Sequence, residues 1–266
     1  MKSAQILKQK IQGNTLTTGL LATFHLWPGL VEMAMDAGLD YLIVDLEHVT
    51  FGDELVIQCC SLGRLMNFPV LIRPPNTNAD TVRLLMDKGP CGMLLPSIHT
   101  VEMLNTVQEG VYMPPRGRRR PGGHGNKWVK DVNYATWKRE VEDDLIMLPQ
   151  IETQQGVKNA EAIAAHPLTT AIAIGPYDLS ADIGCCWEPQ NSTLLGSIEK
   201  IREAGRKAGK NMWMIGDGPT LVQRGFTFLC ITEAAMFLQA SLTNLVKQVK
   251  GGGTATTAAT PDKPLP

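Results

Sequence analysis

Short, largely apolar runs recur along this chain, separated by stretches in which apolar residues return every three or four positions. The runs are Leu20–Phe24, Tyr41–Val44, Val70–Ile72, Met93–Leu95, Leu145–Ile151, Ala171–Ile174, Met212–Ile215 and Phe226–Ile231. Apolar runs this short, bounded by turn residues, predict strands buried on both faces. The intervening spacing, as in Val101, Leu104 and Val107 or Leu194, Ile198 and Ile201, predicts amphipathic helices that cover them. Gly38, Gly89, Gly110, Gly209 and Gly225 stand where helical patterns end and a left-handed cap is needed, and Pro28 suits a first helical turn.

Repeated strand–helix alternation predicts a parallel sheet, and eight units in a chain of this length predict one closed (β/α)8 barrel over residues 1–250. An open dinucleotide-binding sheet lacks support, because no Gly-x-Gly-x-x-Gly follows the first run. Two stretches break the rhythm. Pro114 to Trp137, rich in Gly, Pro and Arg, predicts a functional loop carrying a short helix, and Gly251 to Pro266 predicts a disordered low-complexity tail.

Composition narrows the function classes. With 44% hydrophobic and 19% charged residues among 266, the chain can bury a large core. Its formal net charge of -1 gives no general attraction to nucleic acid or to an anionic membrane. The cysteines (Cys59, Cys60, Cys91, Cys185, Cys186 and Cys230) show no Cys-x-x-Cys spacing and suit thiols in a reducing compartment. Met1 to Leu16 lacks the apolar run of a signal peptide, and no later stretch has membrane-spanning length, so a cytoplasmic protein is expected.

In a parallel barrel the reactive centre lies at the C-terminal ends of the strands, and the unusual polar residues of this chain gather there. The second run leads into Asp45, Glu47 and His48, the third into Arg73, the fifth into Gln150 and Glu152, and the sixth into Gly175, Pro176, Tyr177 and Asp178. Alternation along a strand puts Asp45 with Glu47, and Gln150 with Glu152, on one side each. Glu152 and Asp178, on consecutive strands, offer two hard oxygen ligands and leave other positions of a cation to water and substrate. That suits Mg, Mn or Co, and not a structural zinc. The competing reading is a carboxylate paired with Arg73.

His48 suits a general base whose tautomer Asp45 would hold, against the alternative of a passive surface histidine. Arg73 offers a fixed fork for a carboxylate or a developing oxyanion, or else a structural ion pair with Asp45, Glu47 or Asp87. Lysine is absent from every apolar run and its immediate exit, which removes a Schiff-base route and leaves a metal route.

Five motifs recur in a fixed order: Asp45-Leu46-Glu47-His48, Ile72-Arg73-Pro74, Leu94-Leu95-Pro96, Gln150-Ile151-Glu152-Thr153 and Ile174-Gly175-Pro176-Tyr177-Asp178-Leu179-Ser180. Over about residues 4 to 250 they resemble the HpcH/HpaI aldolase family of class II pyruvate aldolases. The resemblance implies a barrel of the phosphoenolpyruvate/pyruvate-domain type. It also implies a last helix exchanged between subunits and a homohexamer built as a trimer of dimers. Glu152 and Asp178 would hold the metal, while Gln150, Arg73 and the backbone of Gly175, Pro176, Tyr177 and Asp178 would hold pyruvate. His48 with Asp45 would be the acid/base element. The implied reaction is reversible cleavage of 4-hydroxy-2-oxo acids to pyruvate and an aldehyde, through an enolate stabilised by a divalent cation.

Two departures leave the aldehyde unspecified. Arg116 to His124 replaces the family's usual element after the Pro-Pro pair and suits a solvated loop or an oligomer contact, and the seventh unit after Met214-Ile215-Gly216 is short. Two rivals remain at this point: a citrate-lyase-β-like lyase acting on a CoA thioester, and a non-catalytic barrel that only binds.

Overall fold

The computed structural model describes residues 1–251 apart from Pro121 and Val132, so the tail expected to be disordered falls, Gly251 excepted, outside the described residues. Eight parallel strands close into a barrel in sequence order. They are β1 (Thr17–Ala22), β2 (Tyr41–Asp45), β3 (Val70–Arg73), β4 (Gly92–Leu95), β5 (Ile146–Ile151), β6 (Ile172–Ile174), β7 (Met212–Ile215) and β8 (Phe228–Glu233). The helices are α1 (Lys2–Gln12), α2 (Pro28–Asp36), α3 (Asp53–Met66), α4 (Ala79–Met86), α5 (Val101–Val111), α6 (Tyr134–Trp137), α7 (Gln154–Lys158), α8 (Ala160–Ala165), α9 (Pro176–Ile183), α10 (Ser192–Lys207), α11 (Gly218–Gln223) and α12 (Ala234–Lys250). No described helix is long and apolar enough to cross a membrane.

All eight expected strands form, and two shift. The β1 ladder begins at Thr17 because Thr17, Thr18 and Gly19 pair with β8, and β8 runs on through Thr232 and Glu233 for the same reason. Polar threonines hid both extensions. Inside the barrel Tyr41 donates to the Leu229 carbonyl at 2.7 Å and accepts from Trp213 Nε1 at 2.8 Å, which satisfies two buried polar groups in an apolar interior. Gly19 leaves room for that ring, since a Cβ there would lie 2.2 Å from it. Gly38, Gly89, Gly209 and Gly225 take the positive φ expected of caps. Gly110 does not: it lies within α5, where a Cβ would stand 2.4 Å from the Ala79 carbonyl oxygen, so its smallness serves the approach of α5 to α4.

The N-terminal end of the barrel is closed by α1, which buries Ala4, Leu7 and Ile11. It is tied to residues just before three strands, through Ser3 to Cys91, Met1 to Asp144 and Asn211 to the Ile11 carbonyl. The 112–145 excursion joins a helix to a strand, so it also belongs to this end, away from the strand C-termini. Its arginine run is part clamp and part solvated, since Arg116 and Arg119 are held while Arg118 and Arg120 are exposed. Arg116 bridges Glu142 and Asp143 and covers the Tyr112 ring, Arg118 pairs with Glu109, and the fully buried Arg119 pairs with Asp87 at 2.7 Å. At the other extreme, α12 has no buried residue and leaves Phe237, Leu238, Leu242, Leu245 and Val249 exposed.

Candidate active site

Strand register builds the first half of the site. In the β2–β3 ladder Asp45 lies opposite Arg73, so two neighbouring strands end in a carboxylate and a guanidinium at the same height. Arg73 donates through Nε to Asp45 Oδ1 at 2.8 Å and through Nη2 to Oδ2 at 2.6 Å. The Thr23 hydroxyl at 2.9 Å and the Glu47 backbone N–H at 3.0 Å complete the shell of the fully buried Asp45. Burial acts to raise the Asp45 carboxyl, but the hydrogen bonds and charge of Arg73 outweigh it and hold the group below its usual value. Arg73 Nη1 lies 3.2 Å from Glu47 Oε2, and the exposed His48 ring places Nε2 3.8 Å from that same oxygen. The expected His48–Asp45 pair is therefore not formed. Asp45 is occupied by Arg73, Thr23 and the Glu47 N–H, and the carboxylate beside His48 is Glu47.

The second half lies at β5 and β6. Glu152 is buried; its Oε1 accepts from Ser97 N–H at 2.6 Å and Ser97 Oγ at 3.0 Å, and its Oε2 accepts from Gln150 Nε2 at 2.6 Å. Its carboxyl is nonetheless pushed up to about 7, by desolvation first and then by the negative charges of Glu47 and Asp178, against the opposing bonds from Ser97. Asp178 stands exposed in the first turn of α9, close enough for its charge to raise Glu47 as well. Gln150 Oε1 is buried without a hydrogen-bond partner. Gly175 caps α9 with a negative φ, so its role is space: a Cβ would lie 2.2 Å from Glu152 Oε2 and 2.5 Å from Gln150 Nε2.

With this geometry in hand, a family model described as HpcH/HpaI aldolase/citrate lyase matches residues 26–224. The chain belongs to the HpcH/HpaI aldolase/citrate lyase family. It is 29% identical over 248 residues to a hydroxypyruvate/pyruvate aldolase of Pseudomonas aeruginosa, covering 90% of this chain and 92% of that one. It is also 29% identical over 197 residues to a 4-hydroxy-2-oxo-heptane-1,7-dioate aldolase of Escherichia coli, covering 69% of this chain and 74% of the relative. Among solved structures, an HpcH/HpaI aldolase from Desulfitobacterium hafniense DCB-2 superposes with a TM-score of 0.85 at 27% identity, covering 96% of this chain and 99% of that one. Membership makes this chain an enzyme of the aldolase and lyase kind.

Within this HpcH/HpaI barrel, Asp45, Glu47, His48 and Arg73 converge at β2–β3, and Gln150, Glu152 and Gly175 converge at β5–β6. Three participants were missed from sequence. Ser97, at a left-handed φ of 52°, follows the Leu94-Leu95-Pro96 motif, Thr23 interrupts the first apolar run, and Glu233 lies two residues past the last. The donor set suits a hard divalent cation: carboxylate oxygens, a partnerless amide oxygen beside them, and negative charge that raises Glu152. Among the described residues no group of three or more His, Cys, Asp or Glu side chains is placed to hold a metal ion, so a cation on Glu152 and Asp178 would draw the rest of its shell from water, substrate oxygens or the Gln150 amide oxygen.

Proposed function

We propose that this chain is a divalent-metal-dependent aldolase that reversibly cleaves 4-hydroxy-2-oxo acids into pyruvate and an aldehyde. Glu152 carries the reading: a buried carboxylate, raised to about 7 by desolvation and by Glu47 and Asp178, is a place where a cation relieves an electrostatic penalty. Mg, Mn or Co held by Glu152 and Asp178 would supply a Lewis acid to the carboxylate and keto oxygens of pyruvate.

The remaining roles belong to side chains and backbone. Of the five N–H donors of Arg73, Asp45 takes two and Glu47 faces a third, so two are left for the substrate keto oxygen. Asp45 positions that fork. Gln150 steadies Glu152 and keeps Oε1 for a substrate hydroxyl or a water. The start of α9, entered through Gly175 and Pro176, turns the N–H groups of Tyr177 and Asp178 toward an anionic group such as the pyruvate carboxylate. His48, with Glu47 beside it, takes the 4-hydroxyl proton. As that proton leaves, the C3–C4 bond breaks into an aldehyde carbonyl and the enolate of pyruvate, which then accepts a proton at C3. The name of the Pseudomonas relative carries pyruvate and that of the Escherichia relative a 4-hydroxy-2-oxo acid, and together they support this reaction.

The deciding measurement is pyruvate release from 4-hydroxy-2-oxo acids of graded length. Activity should vanish with chelator and return with Mg, Mn or Co. Indifference to chelator, or a borohydride-trapped lysine adduct, rejects the proposal. The unburied apolar side chains of α12 support packing of that helix on a second copy, within a hexamer assembled as a trimer of dimers. A monomeric mass in solution rejects that assembly. Six free cysteines accord with a cytoplasmic setting.

A further inference from the structure

Glu233, at the end of β8, takes no part in the reaction above, yet it is buried and engaged at both oxygens. Its Oε1 accepts from the backbone N–H of Thr23 at 3.1 Å and of Phe24 at 3.4 Å, and its Oε2 accepts from the N–H of Met236 at 2.9 Å, in the first turn of α12. Thr23 passes the connection on. Its hydroxyl donates at 2.9 Å to Asp45 Oδ2, the oxygen that also receives Arg73 Nη2 at 2.6 Å. Glu233 and Thr23 are each 6% exposed and Asp45 0%, so the relay from the start of α12 to Arg73 runs where water does not compete.

We infer that Glu233 is a positioning residue for Arg73, acting through Thr23 and Asp45. By capping α12 with its second oxygen, it also makes the orientation of the guanidinium depend on how that helix is seated. This rests on the reading of Arg73 as a substrate contact. Helix capping alone does not account for the arrangement, because a cap needs one acceptor oxygen. Here the other oxygen gathers two successive N–H groups of the β1 exit and so fixes the residue whose hydroxyl reaches Asp45.

The test uses the full chain and three variants. Thr23→Val keeps the side-chain shape and removes the hydroxyl, Glu233→Gln keeps the shape and turns one acceptor into a donor, and Thr23→Ser keeps the hydroxyl. The first readout needs no turnover: hydrogen exchange of the Arg73 Nε–H signal, assigned by its loss in Arg73→Lys. Exchange should quicken roughly tenfold in Thr23→Val and in Glu233→Gln, and return to the wild-type rate in Thr23→Ser. The second is pyruvate release, in which KM should rise roughly tenfold while kcat changes far less. The double variant Thr23→Val/Glu233→Gln should be no worse than the worse single one, because both cut the same path.

Additive losses, or a lower unfolding temperature with unchanged Arg73 exchange, overturn the inference in favour of a merely structural Glu233. A wild-type protein that releases no pyruvate, but whose Arg73 signal responds as expected, overturns the aldolase reading and leaves the relay standing.

Discussion

The two halves of the barrel mouth handle buried charge in opposite ways. On β2 and β3, Asp45 meets a bidentate guanidinium, a hydroxyl and a backbone N–H, and its carboxyl is held below its usual value. On β5, Glu152 is buried almost as deeply, but it is held only by neutral donors and faces the charges of Glu47 and Asp178, so its carboxyl rises to about 7. A closed ion pair fixes geometry, whereas a carboxylate without an ion-pair partner among the described residues is open to an incoming cation. On the proposed reading, the first half is scaffold for Arg73, and the second is where a cation would supply the chemistry.

The largest effect should come from the open half. Glu152→Ala should lower kcat/KM for pyruvate release roughly 10⁴-fold, equivalent to losing most of a Lewis acid's contribution. It should also abolish the rise in unfolding temperature that Mn produces in the wild type. Retained metal-dependent stabilisation would move the ligand set elsewhere and dissolve the contrast.

Breaking the closed half should act first on stability. Asp45→Ala leaves Arg73, 6% exposed, without its bidentate partner, and should cost about 3–4 kcal/mol in metal-free denaturant unfolding. A cost near zero would mean that Glu47 alone compensates the guanidinium. Gly175→Ala probes the spacing instead. A Cβ 2.2 Å from Glu152 Oε2 must displace that side chain, so a loss of about 1–3 kcal/mol is expected, with weaker Mn binding in a calorimetric titration. Unchanged Mn affinity would show that the position of Glu152 Oε2 does not matter to the cation.

How much of this was legible in sequence follows from the same contrast. Barrel strands announce themselves because apolar runs alternate with helical spacing, and charged residues at their exits stand out against those runs, as Asp45, Arg73 and Glu152 do. Partner choice did not follow, since Asp45 could be read with His48 or with Arg73, and only β2–β3 register sets Asp45 opposite Arg73. Ser97 and Glu233 were invisible for a related reason. Each is an ordinary polar residue whose partner is far away in the chain, Glu152 for Ser97 and Thr23 for Glu233, and closure of the barrel brings them together. A basic run suggests solvent, which holds for the exposed Arg118 and Arg120 but misled at Arg116 and Arg119, where Glu142, Asp143 and Asp87 were waiting to receive them.

The smallest effect is the one that compares the halves in a single experiment. A carboxyl raised to about 7 in the folded protein, against 4.5 as its ordinary value, keeps its proton longer folded than unfolded. Its contribution to stability is therefore fully present below the lower value and is lost as pH rises through the upper one. Asp45, held below its ordinary value, contributes in the opposite sense and loses its contribution only as pH falls below the usual carboxylate range. Between about pH 5 and 8, then, metal-free wild-type protein should lose a few degrees of unfolding temperature relative to Glu152→Gln, which has no proton to give up at that position. Taking the difference between the two proteins cancels the histidines and leaves Glu152. Saturating Mn should remove the wild-type slope, because a cation makes the charged form the favoured one. A difference that stays flat with pH would mean that Glu152 is already compensated within the chain, and the distinction between a closed and an open half would fail.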